Sequence, residues 1–475
     1  MYQHLHKDAD RGQVSKDYLI LHKSDTMETD LIANEDFLLP SIRLGMMPTA
    51  KYVKSRRSAT IHSAIGSASA TGVSTIKYTL SSSTEWCDAE SIVICFDVNN
   101  LDASKPLHPA TVGAHGLIER VQVRMGGQLV EDLDHFGACT EAFEHCIPVE
   151  KRLNFGGLGF GQELAMVGAG TSPDVVVVPQ VFRGGTHTAK KVSGGKAKRV
   201  YMRLGLLGLT SSKKWIPLWA IAGGIEIFLT LAQPADCMIS GAVTSGVAAN
   251  SLSYSLSNLK MNCDMLTIDP ALDEEYARTL REGGGLKLHF KTWNISQQFL
   301  PASNGGNADL SIQKAYTRLA NVFCLFSKEF SDAEKQGGDL QVNTFSMFPQ
   351  AEESLETFLT VGSTKYPDFP NKGLTEHYWR MLTSLGVALS LPHSVNVDYE
   401  SFKTNSFIWS AELEKAPMVA ATGADTTGGQ ELAIHIKGFK GDLNADPTDI
   451  PRRALVVLHH EILVDIMAGG ILLKT

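Results

Sequence analysis

The sequence predicts an all-β protein built of two tandem β-sandwich domains, and three observations carry that prediction. The 475 residues are 43% hydrophobic and 20% charged, enough apolar material for real cores, and at roughly 100 to 200 residues per domain the length divides into two to four units. From Ser58 onward the chain is a series of short β-branched and aromatic stretches closed by Gly, Ser, Asn, Asp and Pro, which is the grammar of strands and turns. The order of elements also repeats. A short helix near Phe143 and another near Tyr378 lie 235 residues apart, and strands opening at Val200 and Leu432 lie 232 apart, so two domains of one topology are expected.

Taken in order, residues 1–57 show no sustained period, mix both charges and end in Lys51, Lys54, Arg56 and Arg57; they read as an N-terminal arm. A first domain is expected over 58–268, with strands at Ser91–Val98, Leu117–Arg124, Arg199–Leu204 and Leu256–Met261. Several of these alternate apolar with polar, as a strand with one buried face does. Met125-Gly126-Gly127-Gln128 reads as a hairpin turn whose glycines supply the positive φ of a primed turn. Thr140–Cys146 reads as a short helix, and the Gly- and Lys-rich stretch Phe155–Lys198 as a long surface loop. A helical connector follows over 269–285. Asp269 is its N-cap, Pro270 its first residue, Arg281 lies in its last turn and Gly283 stops it. Strand grammar then restarts for a second domain over 286–475: Leu286–Lys291, Val322–Phe326, Thr357–Val361, Phe407–Ala411, Glu431–Ile436 and Ala454–Leu458, interrupted by one helix, Thr375–Leu385.

Trp215–Leu231 imitates a membrane span of minimal length, but Glu226 within it would cost about 2.5 to 3.5 kcal/mol in a bilayer centre. Ile225, Ile227, Leu229 and Leu231 alternate after the Gly223-Gly224 bend, so a half-buried strand is expected. The seven cysteines form an odd set with no CxxC pair, which is neither a disulfide framework nor a zinc site. The polar N-terminus and Tyr2 fit neither a signal peptide nor myristoylation. A reducing compartment is therefore expected, and the sequon Asn294-Ile295-Ser296 carries no weight. A net charge of −8 excludes a molecule that is basic as a whole and grips nucleic acid over its full surface.

The motifs that would mark an enzyme are missing: GxxxxGK[ST], HExxH, GxSxG and the EF-hand loop do not occur. Gly157–Gly161 looks like a phosphate loop only superficially, because no strand leads into it. His459-His460-Glu461 is the most ligand-like cluster, but neighbouring residues of a strand point to opposite faces, so the histidines read as structural or interfacial. The only HxH, His4-Leu5-His6, lies in the arm, against a cupin-type metal site. Glu131, Asp132 and Asp134 read as a solvated acidic run, and Trp215, Trp219, Trp293, Trp379 and Trp409 as core or interface aromatics rather than a sugar platform. No catalytic, cofactor-binding or metal residue is assigned, and no small-molecule substrate is expected.

Val121–Val130, Arg203–Leu207 leading into Trp215–Leu218, and Gly224–Leu229 resemble the double jelly-roll major capsid proteins of icosahedral double-stranded DNA viruses. That group includes virophages, polinton-like and adintovirus-like elements and the large nucleocytoplasmic viruses. The likeness spans about Ser58 to Thr475, with its specific motifs in the first half. It implies two jelly rolls standing side by side, homotrimers that form pseudo-hexagonal capsomers, and no enzymatic activity. It also implies neighbouring capsomers, penton and minor capsid proteins as partners, and a place in the virion after assembly in the host cytoplasm or nucleus. Under it, the 155–198 loop would form a tower or clasp. The arm would run along the inner face, with Lys51, Lys54, Arg56 and Arg57 toward an internal membrane or packaged DNA. The competing reading is a two-domain β-sandwich carbohydrate-binding or glycan-processing protein, which would be a monomer or small oligomer; a third is a spike or minor capsid protein.

Overall fold

The computed structural model describes residues 53–144, 146–147, 157–161, 191–238, 250–300, 306–327, 355–387, 395, 397, 399, 402, 406–414, 422–428, 431–439 and 453–474. The chain opens with β1 (Val53–His62), β2 (Ser67–Ala68), β3 (Thr75–Leu80), β4 (Trp86–Asn100), β5 (Ile118–Met125) and β6 (Gln128–Leu133). Helix α1 (Phe136–Glu144), β7 (Ala197–Arg203), the one-turn α2 (Gly208–Ser211) and β8 (Trp215–Pro217) follow. Next come β9 (Ile225–Leu231), the one-turn α3 (Pro234–Cys237) and β10 (Tyr254–Ile268). Helix α4 (Pro270–Arg281) leads to β11 (Leu286–Phe299), β12 (Gly306–Ile312), β13 (Leu319–Ser327), β14 (Glu356–Val361) and β15 (Thr364–Lys372). Helix α5 (Gly373–Ser384), β16 (Ile408–Glu412), β17 (Leu432–Phe439), β18 (Arg453–Met467) and β19 (Gly470–Lys474) complete it.

These strands form four antiparallel sheets. The first pair runs β1-β10-β4-β7 and β3-β9-β5-β6, and the second runs β11-β18-β13-β16 and β12-β17-β14-β15. The second pair repeats the first strand for strand, with α5 standing where α1 stands, between the last strand of one sheet and the outer strand of the other. Most neighbours in every sheet are non-consecutive, so the chain crosses repeatedly between the two sheets of each sandwich, as a jelly roll does. The buried residues of both sandwiches merge into one apolar cluster, from Ile76 and Phe96 in the first to Trp409 and Val456 in the second.

Local chemistry explains most elements. Gly126 (φ 54°) and Gly127 (φ 83°) close the β5–β6 hairpin. In β9, Ile225, Ile227, Leu229 and Leu231 are buried while Glu226 points outward to Lys77 of β3 at 2.5 Å, so the segment that imitates a membrane span is a strand. Among the described residues no helix is long and apolar enough to cross a membrane. Helix α4 has the cap read from the sequence, Asp269 accepting from the Ala271 amide at 3.0 Å. None of its residues is buried; it is held by Trp86, whose Nε1–H donates to Asp273 at 3.0 Å. One boundary moves. β1 begins at Val53, not after an arm ending at residue 57, and pairs with β10 from Val53↔Ile268 to His62↔Lys260. Its exposed, polar sequence hid it, because an edge strand that buries little carries no alternation.

Candidate functional site

The two sandwiches meet along a seam, and that seam gathers most of the unusual chemistry of the chain. Glu131 on β6 is only 2% exposed. Its carboxylate accepts from the amides of Gly208 (2.7 Å) and Leu209 (3.1 Å) at the start of α2, and from the hydroxyl of Thr292 on β11 of the other sandwich. Burial pushes this carboxyl up to about 7 against the opposing pull of the three donors. Gly208 is required by proximity, since a Cβ there would stand 2.1 Å from the Lys291 carbonyl oxygen of β11. Beside this pin, Phe143 of α1 packs edge-on against Phe323 of β13 (5.4 Å) and against Trp293 of β11 (5.3 Å). At the other end His135, in left-handed backbone (φ 51°), holds Glu119 at 2.6 Å and meets the guanidinium of Arg453 on β18 at 3.4 Å.

The acidic run read as solvated is therefore divided by the pleat of β6. Asp132 makes a two-pronged pair with Arg120, at 2.7 and 2.6 Å, while Glu131 turns inward; alternation at a strand that also faces a second domain was the signal available for it. His459 and His460 point to opposite faces, as expected. His459 stacks on Trp293 at 4.1 Å, and His460 packs tilted against Tyr316 at 3.9 Å. Burial pushes them down to about 3 and about 4, with Lys291 adding to the effect at His459. Neutral and flat, they serve as packing surfaces, and the Nδ1 of each makes no hydrogen bond.

Two clusters could be mistaken for metal centres. His115, buried near α1, has Glu141 at 2.6 Å from Nε2 and Glu144 at 3.8 Å from Nδ1. Burial would lower the imidazole, but the two carboxylates outweigh it and raise it to about 9. The acids flank different ring nitrogens, an arrangement that clamps an imidazolium. In Glu119, Asp134 and His135 the guanidinium of Arg453 already supplies the positive charge. No sequence motif marked His115, because its acids lie 26 and 29 residues downstream on a helix.

Of the basic residues expected at the inner face, Lys51 lies outside the described residues, and Lys54, Arg56 and Arg57 belong to β1. Arg56 pairs with Asp88 (2.9 Å) and Asp264 (2.7 Å), and Arg57 with Glu85 (2.6 Å), so two of these charges are already balanced within the sheet. The tryptophans do not assemble into a platform. Trp409 is buried and donates to Thr357 at 2.7 Å, Trp293 lies in the seam, and the exposed Trp215 and Trp379 stand on different sandwiches. The long loop read at 155–198 is described only at 157–161 and 191–198.

No family model and no curated protein matches this chain. Solved structures do. The chain is similar to PBCV-1 VP54, as fitted into a reconstruction of the virophage Sputnik, at 10% identity, covering 91% of this chain and 99% of that one with a TM-score of 0.59. It is similar to the Faustovirus major capsid protein at 9% identity, covering 92% and 94% with a TM-score of 0.58. A chain of the Sputnik virophage structure matches at 10% identity, covering 92% of each with a TM-score of 0.53. The chain thus has the double jelly-roll fold of viral major capsid proteins.

Proposed function

We propose that this chain is the structural major capsid protein of an icosahedral double-stranded DNA virus, standing in the virion shell as pseudo-hexagonal homotrimeric capsomers. The observation that carries the proposal is the repetition of one eight-strand order in two sandwiches, over a length that covers 99% of PBCV-1 VP54. A tandem pair of like sandwiches gives one chain two similar lateral faces, and three such chains supply six barrels. The domains in this reading are 58–268, extended to Val53 by β1, and 286–475, with 269–285 as connector. The role is structural rather than catalytic, and the one apolar core together with the buried seam supports a rigid tile.

Partners in this reading are neighbouring capsomers, penton and minor capsid proteins. An anionic inner layer, internal membrane or packaged DNA, is the proposed contact of Lys51, Lys54, Arg56 and Arg57; capsid assembly and stability unchanged after charge reversal at all four would sink that contact. The test of the whole reading is native mass by light scattering, followed by electron microscopy. A trimer near three times 51.5 kDa, or larger closed particles bearing pseudo-hexagonal tiles, is expected. A monomer at high concentration overturns it.

A further inference from the structure

β4 leaves its ladders at one place. Its pairing with β10 jumps from Val93↔Asn262 to Asp88↔Asp264, and on its other side the partner changes from β7, ending at Val93↔Arg203, to β8, beginning at Asp88↔Trp215. Ala89–Ile92 therefore bulge from the sheet, and residues 204–214, which carry α2, span the gap between β7 and β8. Between this loop and the last turn of α1 lies a recess of about 390 Å³, the size of a small-ligand site.

The lining is amphipathic. Ile92, Phe143, Ile147, Leu204 and Leu206 give it apolar walls, and Phe143 is fixed by Trp293 and Phe323 across the seam. Into this apolar setting α1 places Thr140, which is 4% exposed and whose hydroxyl has no hydrogen-bond partner among the described residues. A hydroxyl withdrawn from water without a partner carries a cost that an acceptor atom of a ligand offsets. Arg203 and Lys213 are exposed at the rim, and neither makes an ion pair among the described residues. The two acids of the lining leave them free. Glu144 stands 3.8 Å from His115 Nδ1, and Glu90 pairs with neither cation.

We infer that this recess binds a single-chain aliphatic carboxylate, its tail against the apolar walls and its carboxylate accepting from Thr140 under the charge of Arg203 and Lys213. An uncharged or cationic chain of the same length covers the walls but leaves the two rim cations unanswered. Both α1 and α2 press on the second sandwich, through Phe143 and Gly208, so a ligand held between them stabilises the folded chain by mass action.

The full chain is titrated with octanoate, decanoate and dodecanoate by isothermal calorimetry, each below its micellar concentration. One site per chain is expected, with affinity rising about fourfold per added methylene until the walls are covered. Decanoate should bind about tenfold more tightly than decanol or decyltrimethylammonium. Thr140→Val should bind decanoate about tenfold more weakly, with a melting temperature no lower than wild type, since it deletes only the unpaired hydroxyl. Arg203→Gln with Lys213→Gln should erase the preference for the carboxylate and leave decanol binding as it was. Ile147→Trp should block all three ligands, and decanoate should raise the melting temperature of wild type but not of this variant. Absence of saturable binding, equal affinity for the three head groups, or undiminished decanoate binding in Thr140→Val overturns the site. Should Ile147→Trp fail to fold, the other two variants, one nearly isosteric and one at the surface, still decide the outcome.

Discussion

Glu131 gives the sharpest test of how the two sandwiches are held together. Its carboxyl titrates near 7 in the folded chain and near its ordinary 4.5 when unfolded. Because the folded value is raised, the folded state binds the proton more tightly. The stabilisation is fully present below about pH 4.5, declines through the interval and is gone above about pH 7. At about 1.4 kcal/mol per unit, a difference of 2.5 units between those two values is a contribution on the order of 3 kcal/mol. Glu131→Gln keeps the shape and removes the titration. For a domain this large, about 1 kcal/mol moves the midpoint by roughly 1 °C. The wild-type melting temperature should therefore fall by about 3 °C more than that of the Gln variant between pH 4.5 and 8, at fixed salt. Parallel melting curves for the two proteins across that range would refute the buried, three-donor environment derived for this side chain.

Gly208→Ala forces a Cβ against the Lys291 carbonyl and should destabilise the chain by about 1 to 3 kcal/mol; an unchanged urea midpoint would mean that α2 does not press on β11. His115 is raised by its two acids, so its contribution is complete below its ordinary 6.5 and is lost as pH rises through about 9. His115→Gln should abolish that alkaline loss, measured as the difference in unfolding midpoint between pH 7 and pH 10. Cys139, Cys146, Cys237 and Cys324 are held as thiols by burial, which raises each of them, and Cys87 is raised first by the hydrogen bond its thiol donates to Cys263 and then by burial. A thiol reagent should leave native protein unlabelled and count seven thiols after unfolding; fast labelling of the native chain would contradict the packing.

Much of this protein was legible in its residues because the relevant physics is local. Alternation in Ile225–Leu231 identified β9, the Gly126-Gly127 pair the β5–β6 hairpin, and Asp269-Pro270 the start of α4. Each depends on backbone preferences or on one buried face. The helix-to-helix interval foreshadowed a repeated topology, whereas the strand interval from Val200 to Leu432 matched β7 with β17, whose counterparts are β16 and β9; the order of the strands, which depends on pairings up to 215 residues apart such as Val53 with Ile268, required the folded chain. Tertiary structure alone decided the rest. Whether Glu131 is solvated depends on α2 and β11 closing over it, Arg56 and Arg57 were free charges until Asp88, Asp264 and Glu85 arrived from neighbouring strands, and His459 became a packing surface only against Trp293. Burial and charge pairing are properties of neighbours brought together by long-range sheet pairing, and no short stretch of sequence contains those neighbours.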